Sequence, residues 1–220
     1  RIAQETKIIP KPMIKIGGKP ILVYIMEHYL RYGFKDFILA CGYKKKKIRD
    51  YFKGHKKFKN VRIIDTGIRT LTGKRIHKLK SLLINEENFM LTYGDGISNQ
   101  DLNKLLKFHI DNKKVATVTA VNPPSTFGVL KIIKNKIKTF SEKKVDKKIW
   151  INGGFFVFSN KVFDYLSNKD SMLEDQLMKK LVSENQIKTF KHHGFWKCLD
   201  NYKDKLEFEE TMKRKSWLKK

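Results

Sequence analysis

Three short stretches of this 220-residue chain carry side chains that handle phosphate. In Pro10-Lys11-Pro12-Met13, a proline on each side of the lysine stiffens the backbone, so the ammonium is offered from a fixed loop. Such a lysine suits a phosphate, although a solvated turn gives the same pattern. In Tyr93-Gly94-Asp95-Gly96 a carboxylate stands between glycines at the end of an apolar run. Mg²⁺ is held by one or two carboxylates plus substrate phosphates, and small neighbours let a nucleotide approach; an Asp-Gly turn is the plain alternative. The third stretch, His192-His193-Gly194-Phe195-Trp196-Lys197-Cys198-Leu199-Asp200, holds adjacent histidines. In a strand these point to opposite faces and chelate a metal poorly. Asp200 would be the second carboxylate of a Mg²⁺ site with Asp95.

The elements that must position these groups are those of an α/β sheet with crossover helices. Helix period runs from Ile21 to Leu30, stopped by Gly33; strand runs follow at Phe37–Cys41 and Val61–Asp65, with a helix at Lys47–Phe52 between them. A helix at Leu79–Leu83 leads to Phe89–Tyr93, which reads as a buried parallel strand ending at Asp95, the end at which open α/β sheets bind ligands. A helix near Gln100–His109 precedes Val115–Val121, a β-branched strand. Strand runs at 127–133, 136–140 and 150–158 predict a more antiparallel region. Met172–Glu184 reads as helix, Ile187–Phe190 as strand, and the tail from Tyr202 as a charged helix. No repeat or Gly/Ser linker divides the chain, so one domain spanning 1–220 is expected.

The balance of 48 Lys+Arg against 22 Asp+Glu, +26 in all, is that of a nucleic-acid binder. The lysines are spread through every segment, however, and no recognition motif accompanies them, so no specific nucleic-acid partner is expected. No uncharged apolar run approaches the roughly 20 residues that cross a bilayer. Cys41 and Cys198, both in apolar surroundings, read as buried thiols of a reducing cytoplasm, too few for a Cys-based zinc site.

Taken in order, these motifs resemble the bacterial glucose-1-phosphate cytidylyltransferases, within the wider sugar-phosphate nucleotidyltransferase family. The resemblance covers nearly the whole chain. Besides the three stretches, it rests on Ile16-Gly17-Gly18-Lys19-Pro20, Cys41-Gly42-Tyr43-Lys44, Asp65-Thr66-Gly67, Leu71-Thr72-Gly73, Phe127-Gly128, Ser141-Glu142-Lys143 and Ile151-Asn152-Gly153-Gly154. Asp-Thr-Gly and His-His-Gly-Phe-Trp point to the cytidylyl branch.

The resemblance implies a Rossmann-like fold, with a mixed, mostly parallel sheet flanked by helices and a small antiparallel C-terminal subregion. It implies transfer of a cytidylyl group from CTP to α-D-glucose 1-phosphate with Mg²⁺, in the cytoplasm, by a homo-oligomer, toward surface polysaccharide. Arg1 and Lys11 would neutralise charge on the transferring group, and Asp95 and Asp200 would hold Mg²⁺. Thr72 and Gly73 would meet the base. Gly128, Glu142, Lys143, Asn152 and Gly153 would line the sugar-phosphate pocket, Lys143 taking the phosphate. Arg1 matches the last residue of the family's Gly-rich loop, so the first strand and most of that loop are expected to be missing. Lys144 stands where relatives carry proline and Asn201 where they carry threonine, and the segment between Phe52 and Val61 is shorter. Another base or sugar, or a remnant that only binds sugar phosphate, is the alternative.

Overall fold

The computed structural model describes residues 2–124, 128–142 and 149–214. Helix α1 (Ile2–Thr6) leads through a 3₁₀ turn at Lys11–Met13 into a hairpin of β1 (Lys15–Ile16) and β2 (Lys19–Pro20). Pro20 then starts α2 (Ile21–Arg31), buried along Ile21–Met26, as a helix that is apolar on most sides must be. Gly33, at φ +89, takes the left-handed position that closes it. Next come β3 (Asp36–Cys41), α3 (Lys45–Phe52) and β4 (Asn60–Asp65), with β3 parallel to β4 in the register Phe37↔Val61 to Cys41↔Asp65. Short helices α4 (Thr72–His77) and α5 (Lys80–Leu83) precede β5 (Asn88–Thr92), β6 (Gly96–Ser98), α6 (Leu102–Asn112) and β7 (Ala116–Val121). After the hairpin β8 (Val129–Ile133) and β9 (Lys136–Ser141) come β10 (Ile151–Ser159), a π-helical turn Leu173–Met178 continuing as α7 (Lys179–Ser183), β11 (Ile187–His192), β12 (Trp196–Cys198) and α8 (Tyr202–Arg214).

The main sheet has the order β11-β7-β10-β5. β11 is parallel to β7, whereas β10 is antiparallel to both β7 and β5, so three strands share one direction and β10 opposes them. The expected strand at 150–158 therefore sits inside the main sheet rather than in a region of its own. Its composition explains this: Phe155, Phe156, Val157 and Phe158 are all fully buried, and a continuous apolar run is what a strand covered on both faces requires. Phe155 and Val157 pack with α2, α6 and α8, while Phe156 and Phe158 pack with α4, α7 and the π-turn. The hairpin β8–β9 pairs only with itself among the described residues and stays exposed. The predicted helix Met172–Glu184 is real, but its first half is wound as π. No helix among the described residues is long and apolar enough to cross a membrane.

Helix α6 shows local sequence setting an element's start. The Asp101 carboxylate accepts the Lys104 N–H at 2.9 Å, and Leu102 and Leu105 are fully buried beneath it. Asp101→Ala is expected to cost about 1 kcal/mol through the lost cap, lowering the midpoint of thermal unfolding by about 2–4 °C for a chain of this size. Circular dichroism melting checks this.

Candidate active site

Lys11 lies in the 3₁₀ turn, where Met13 N–H donates to Pro10 O at 2.8 Å and Ile14 N–H to Lys11 O at 3.1 Å. From this stiff turn its ammonium donates to Asp95 Oδ2 at 2.7 Å and to Asp200 Oδ1 at 2.9 Å. What joins two carboxylates so distant in sequence is a two-stranded ladder. β6 and β12 are antiparallel with Cys198 opposite Gly96, and Leu199 N–H donates to Asp95 O at 2.8 Å, so Asp95 and Asp200 leave the ladder side by side. Asp204 then accepts the N–H groups of Asp200 and Asn201 at 2.9 and 2.8 Å, while Asn201 Oδ1 accepts the Asp204 N–H at 3.0 Å. This reciprocal cap opens α8 and fixes Asp200; asparagine at 201 serves it as well as threonine would.

Partial burial works against the Lys11 charge, but its hydrogen bonds to Asp95 and Asp200 outweigh that and raise its pKa above the ordinary lysine value. Asp200 is held below the usual carboxylate range by the Cys198 thiol, whose Sγ donates to Oδ2 at 2.9 Å, and then by Lys11. Cys198, half-buried rather than fully buried as expected, is pushed up to about 12 by burial and by the Asp200 carboxylate. Cys41 is buried, and burial pushes it up to about 11.

The sign of the pH dependence follows. A depressed carboxylate stabilises the folded state above its unfolded pKa, and that contribution is lost as pH falls through the folded value; a raised lysine contributes below its unfolded pKa and loses this as pH rises through the folded value. The Lys11–Asp200 tie is therefore expected to hold between about pH 5 and pH 10 and to open below about pH 4. Asp200→Asn should remove the acid step and lower the Lys11 pKa, read by NMR titration of the lysine Cε and Nζ signals.

A 290 Å³ cleft adjoins this cluster, lined by Lys11, Pro12, Thr72, Tyr93, Asp95 and Glu174 among others. Gly94 lets its wall come close, since a Cβ there would stand 2.8 Å from Pro12 Cγ. The Tyr93 hydroxyl donates to Glu174 Oε1 and also meets the Asn152 side chain. Burial, and then Glu174, push its pKa well up, so it stays protonated. Glu174 Oε2 is buried without a hydrogen-bond partner. Sequence reasoning missed Tyr93 and Glu174; the tyrosine's place in Tyr-Gly-Asp-Gly was the available signal, whereas Glu174 looked like any helical carboxylate.

The remaining expected residues divide. Thr72 lines the cleft, its Oγ1 accepting the Leu173 N–H at 2.8 Å. Gly73 donates its own N–H to Ser171 O at 2.9 Å, so in this structure the group expected to meet the base is engaged within the chain. Asn152 and Gly153 fall on a bulge of β10, where Asn152 Oδ1 accepts the Gly154 N–H at 2.8 Å and Gly153 O accepts the Trp196 indole N–H at 2.7 Å. Bulges re-aim side chains beside sites, and here Asn152 is turned to Tyr93. Gly128 and Glu142 belong to the exposed hairpin region, and among the described residues nothing joins either to Lys11 or Asp95. Arg1 and Lys143 lie outside the described residues. His192 Nε2 lies 3.1 Å from Phe195 O and His193 packs edge-on to Trp150. No group of three or more metal-ligating side chains occurs among the described residues.

Comparison with known proteins gives the family and the fold. A family model described as "Nucleotidyl transferase" matches residues 1–214. The glucose-1-phosphate cytidylyltransferase of Salmonella typhimurium is 36% identical over 231 residues, covering 95% of this chain and 90% of that one. A probable glucose-1-phosphate cytidylyltransferase of Bacillus subtilis is 41% identical, covering 94% of this chain and 89% of that one. In fold, the chain is similar to HddC from Yersinia pseudotuberculosis complexed with GMP-PN, with a TM-score of 0.73 at 22% identity over 93% of this chain and 90% of that one. With strand ends, lysine and paired carboxylates placed as they are, the chain belongs to the nucleotidyl transferase family.

Proposed function

We propose that this nucleotidyltransferase moves a cytidylyl group from CTP to α-D-glucose 1-phosphate, giving CDP-glucose and pyrophosphate. The observation that carries the reading is the Lys11 ammonium held between Asp95 and Asp200 at the mouth of the Tyr93–Glu174 cleft. The names of relatives at 36% and 41% identity support the choice of base and sugar.

In the reaction a phosphate oxygen of the sugar attacks the α-phosphorus in line, its new P–O bond forming as the bond to the β-phosphate breaks and pyrophosphate leaves. Little covalent work falls to the protein, and positioning with charge neutralisation supplies the catalysis. Lys11 contributes a fixed positive charge, already placed by its turn. Asp95 and Asp200 fit Mg²⁺: both are hard oxygen donors, and both already converge on one cation, the Lys11 ammonium. Mg²⁺ held by these two would neutralise charge on phosphate oxygens. Glu174 Oε2 and the Tyr93–Asn152 pair give the cleft acceptors for hydroxyl groups. We place the work in the cytoplasm, where Cys41 and Cys198 remain reduced.

The test is pyrophosphate release from CTP, UTP and dTTP, each with glucose 1-phosphate and Mg²⁺. Release with CTP alone supports the reading. Release with UTP or dTTP instead replaces the base, and CTP binding without release with any of the three leaves a binding protein.

A further inference from the structure

Side chains alternate across a strand, and β12 uses the alternation to serve two places at once. Trp196, Cys198 and Asp200 turn one way, Lys197 and Leu199 the other. On the first side the Trp196 indole N–H donates to Gly153 O at 2.7 Å. On the second, Lys197 reaches Glu207 on α8 and lies 5.9 Å from the centre of the Phe208 ring, and Leu199 is fully buried in the cluster that contains Phe208. The alternation outlasts the strand because the Leu199 N–H still pairs with Asp95 O. It therefore sets the Cys198 thiol against the Asp200 carboxylate, Sγ to Oδ2 at 2.9 Å.

The Asp200 side chain is 63% accessible, and a carboxylate so exposed ordinarily turns among its rotamers, a freedom that must be given up when it binds a cation. Here both of its oxygens are held, Oδ1 by Lys11 at 2.9 Å and Oδ2 by Cys198 at 2.9 Å. The two partners differ in kind. The ammonium carries a positive charge and sits between Asp95 and Asp200. The thiol is a neutral donor facing a group that can only accept, so it fixes the carboxylate and leaves the negative charge for a cation. Lys197, the cation nearest in sequence on β12, is turned away toward Glu207 and Asp204. We propose that Cys198 is a positioning residue for Asp200: its S–H holds Oδ2, so that Oδ1 stays turned to the cation position shared with Asp95. This role rests on the metal-holding role proposed for Asp95 and Asp200, and it names the group that keeps one of them in place. Loss of a hydrogen-bond partner behind a metal-binding side chain typically lowers metal affinity about 10–100-fold.

The test uses the full chain and Mn²⁺ alone, an ion that favours the same oxygen donors as Mg²⁺ and whose free form is read by electron paramagnetic resonance. Asp95→Asn identifies the binding that belongs to this site. Cys198→Ala and Cys198→Val both remove the donor, valine filling the space so that a cavity left by alanine does not obscure the result, whereas Cys198→Ser keeps an O–H donor. The expected result is Mn²⁺ binding weaker by about tenfold or more in the alanine and valine variants, with most of it recovered in serine and no correlation with the urea unfolding midpoints. Wild-type affinity in alanine and valine overturns the proposal, as does a serine variant as weak as they are, or a loss that tracks the unfolding midpoint; each of these leaves the metal role of Asp95 and Asp200 standing. Mn²⁺ binding by Asp95→Asn equal to that of the wild type overturns both.

Discussion

Lys11→Met is expected to lower kcat/KM for nucleotidyl transfer by about 10²–10³-fold, the usual loss when one preorganised charge stabiliser is removed, equivalent to roughly 2.7–4 kcal/mol of transition-state stabilisation. The reason lies in the turn that carries it: two prolines and two backbone hydrogen bonds fix the lysine, so its ordering cost is met before substrate arrives. Stability should change far less. The pair it makes is partly solvent-exposed, with the Asp200 side chain 63% accessible, and exposed pairs contribute about 0–1 kcal/mol. Lys11→Arg should not rescue the loss, because a planar guanidinium does not replace a compact ammonium between two carboxylates. Steady-state kinetics beside urea unfolding separate the two effects. A fall in activity matched by an equal fall in stability would reduce Lys11 to a structural tie.

Phe156→Ala is expected to produce the largest loss of stability, about 3–5 kcal/mol. Phe156 is fully buried on β10, stacks on Phe158 with ring centroids 5.6 Å apart, and meets Tyr93 at 5.6 Å. Removing the ring leaves a cavity that strands on both sides cannot close. Against a total stability of about 5–15 kcal/mol, this should lower the unfolding midpoint by about 6–20 °C. Phe156→Leu, which keeps most of the volume, should cost much less. Chemical denaturation, with the slope unchanged and the midpoint shifted, checks the assignment.

The two substitutions also mark what could be read before any coordinates. Phe156 lies in an apolar run whose strand character was plain, as were the helix after Pro20 and the strands at Phe37–Cys41 and Val115–Val121, because burial on one or both faces writes itself into composition. Where β10 would lie was not plain. An apolar run states that a strand is buried, not which strands flank it, and β10 went to the middle of the main sheet. Lys11 and Asp95 stood out through their prolines and glycines. The partnership of Asp95 with Asp200 rests on two strands of three residues each, too short for any periodicity to show. Glu174 gave no signal at all, since a carboxylate in a helical stretch is ordinarily a solvated one.

The β6–β12 ladder also has a meaning in time. Lys11 and Asp200 are 189 residues apart in the chain. A ribosome adding about 5–20 residues per second exposes the lysine and Asp95 well before Asp200 exists, and long-range pairings of this kind are slow to close. Throughout that interval the growing polypeptide carries Lys11 and Asp95 without the second carboxylate of the cluster. The Lys11–Asp95–Asp200 cluster is therefore completed by the last described strand to emerge, not by the first motif.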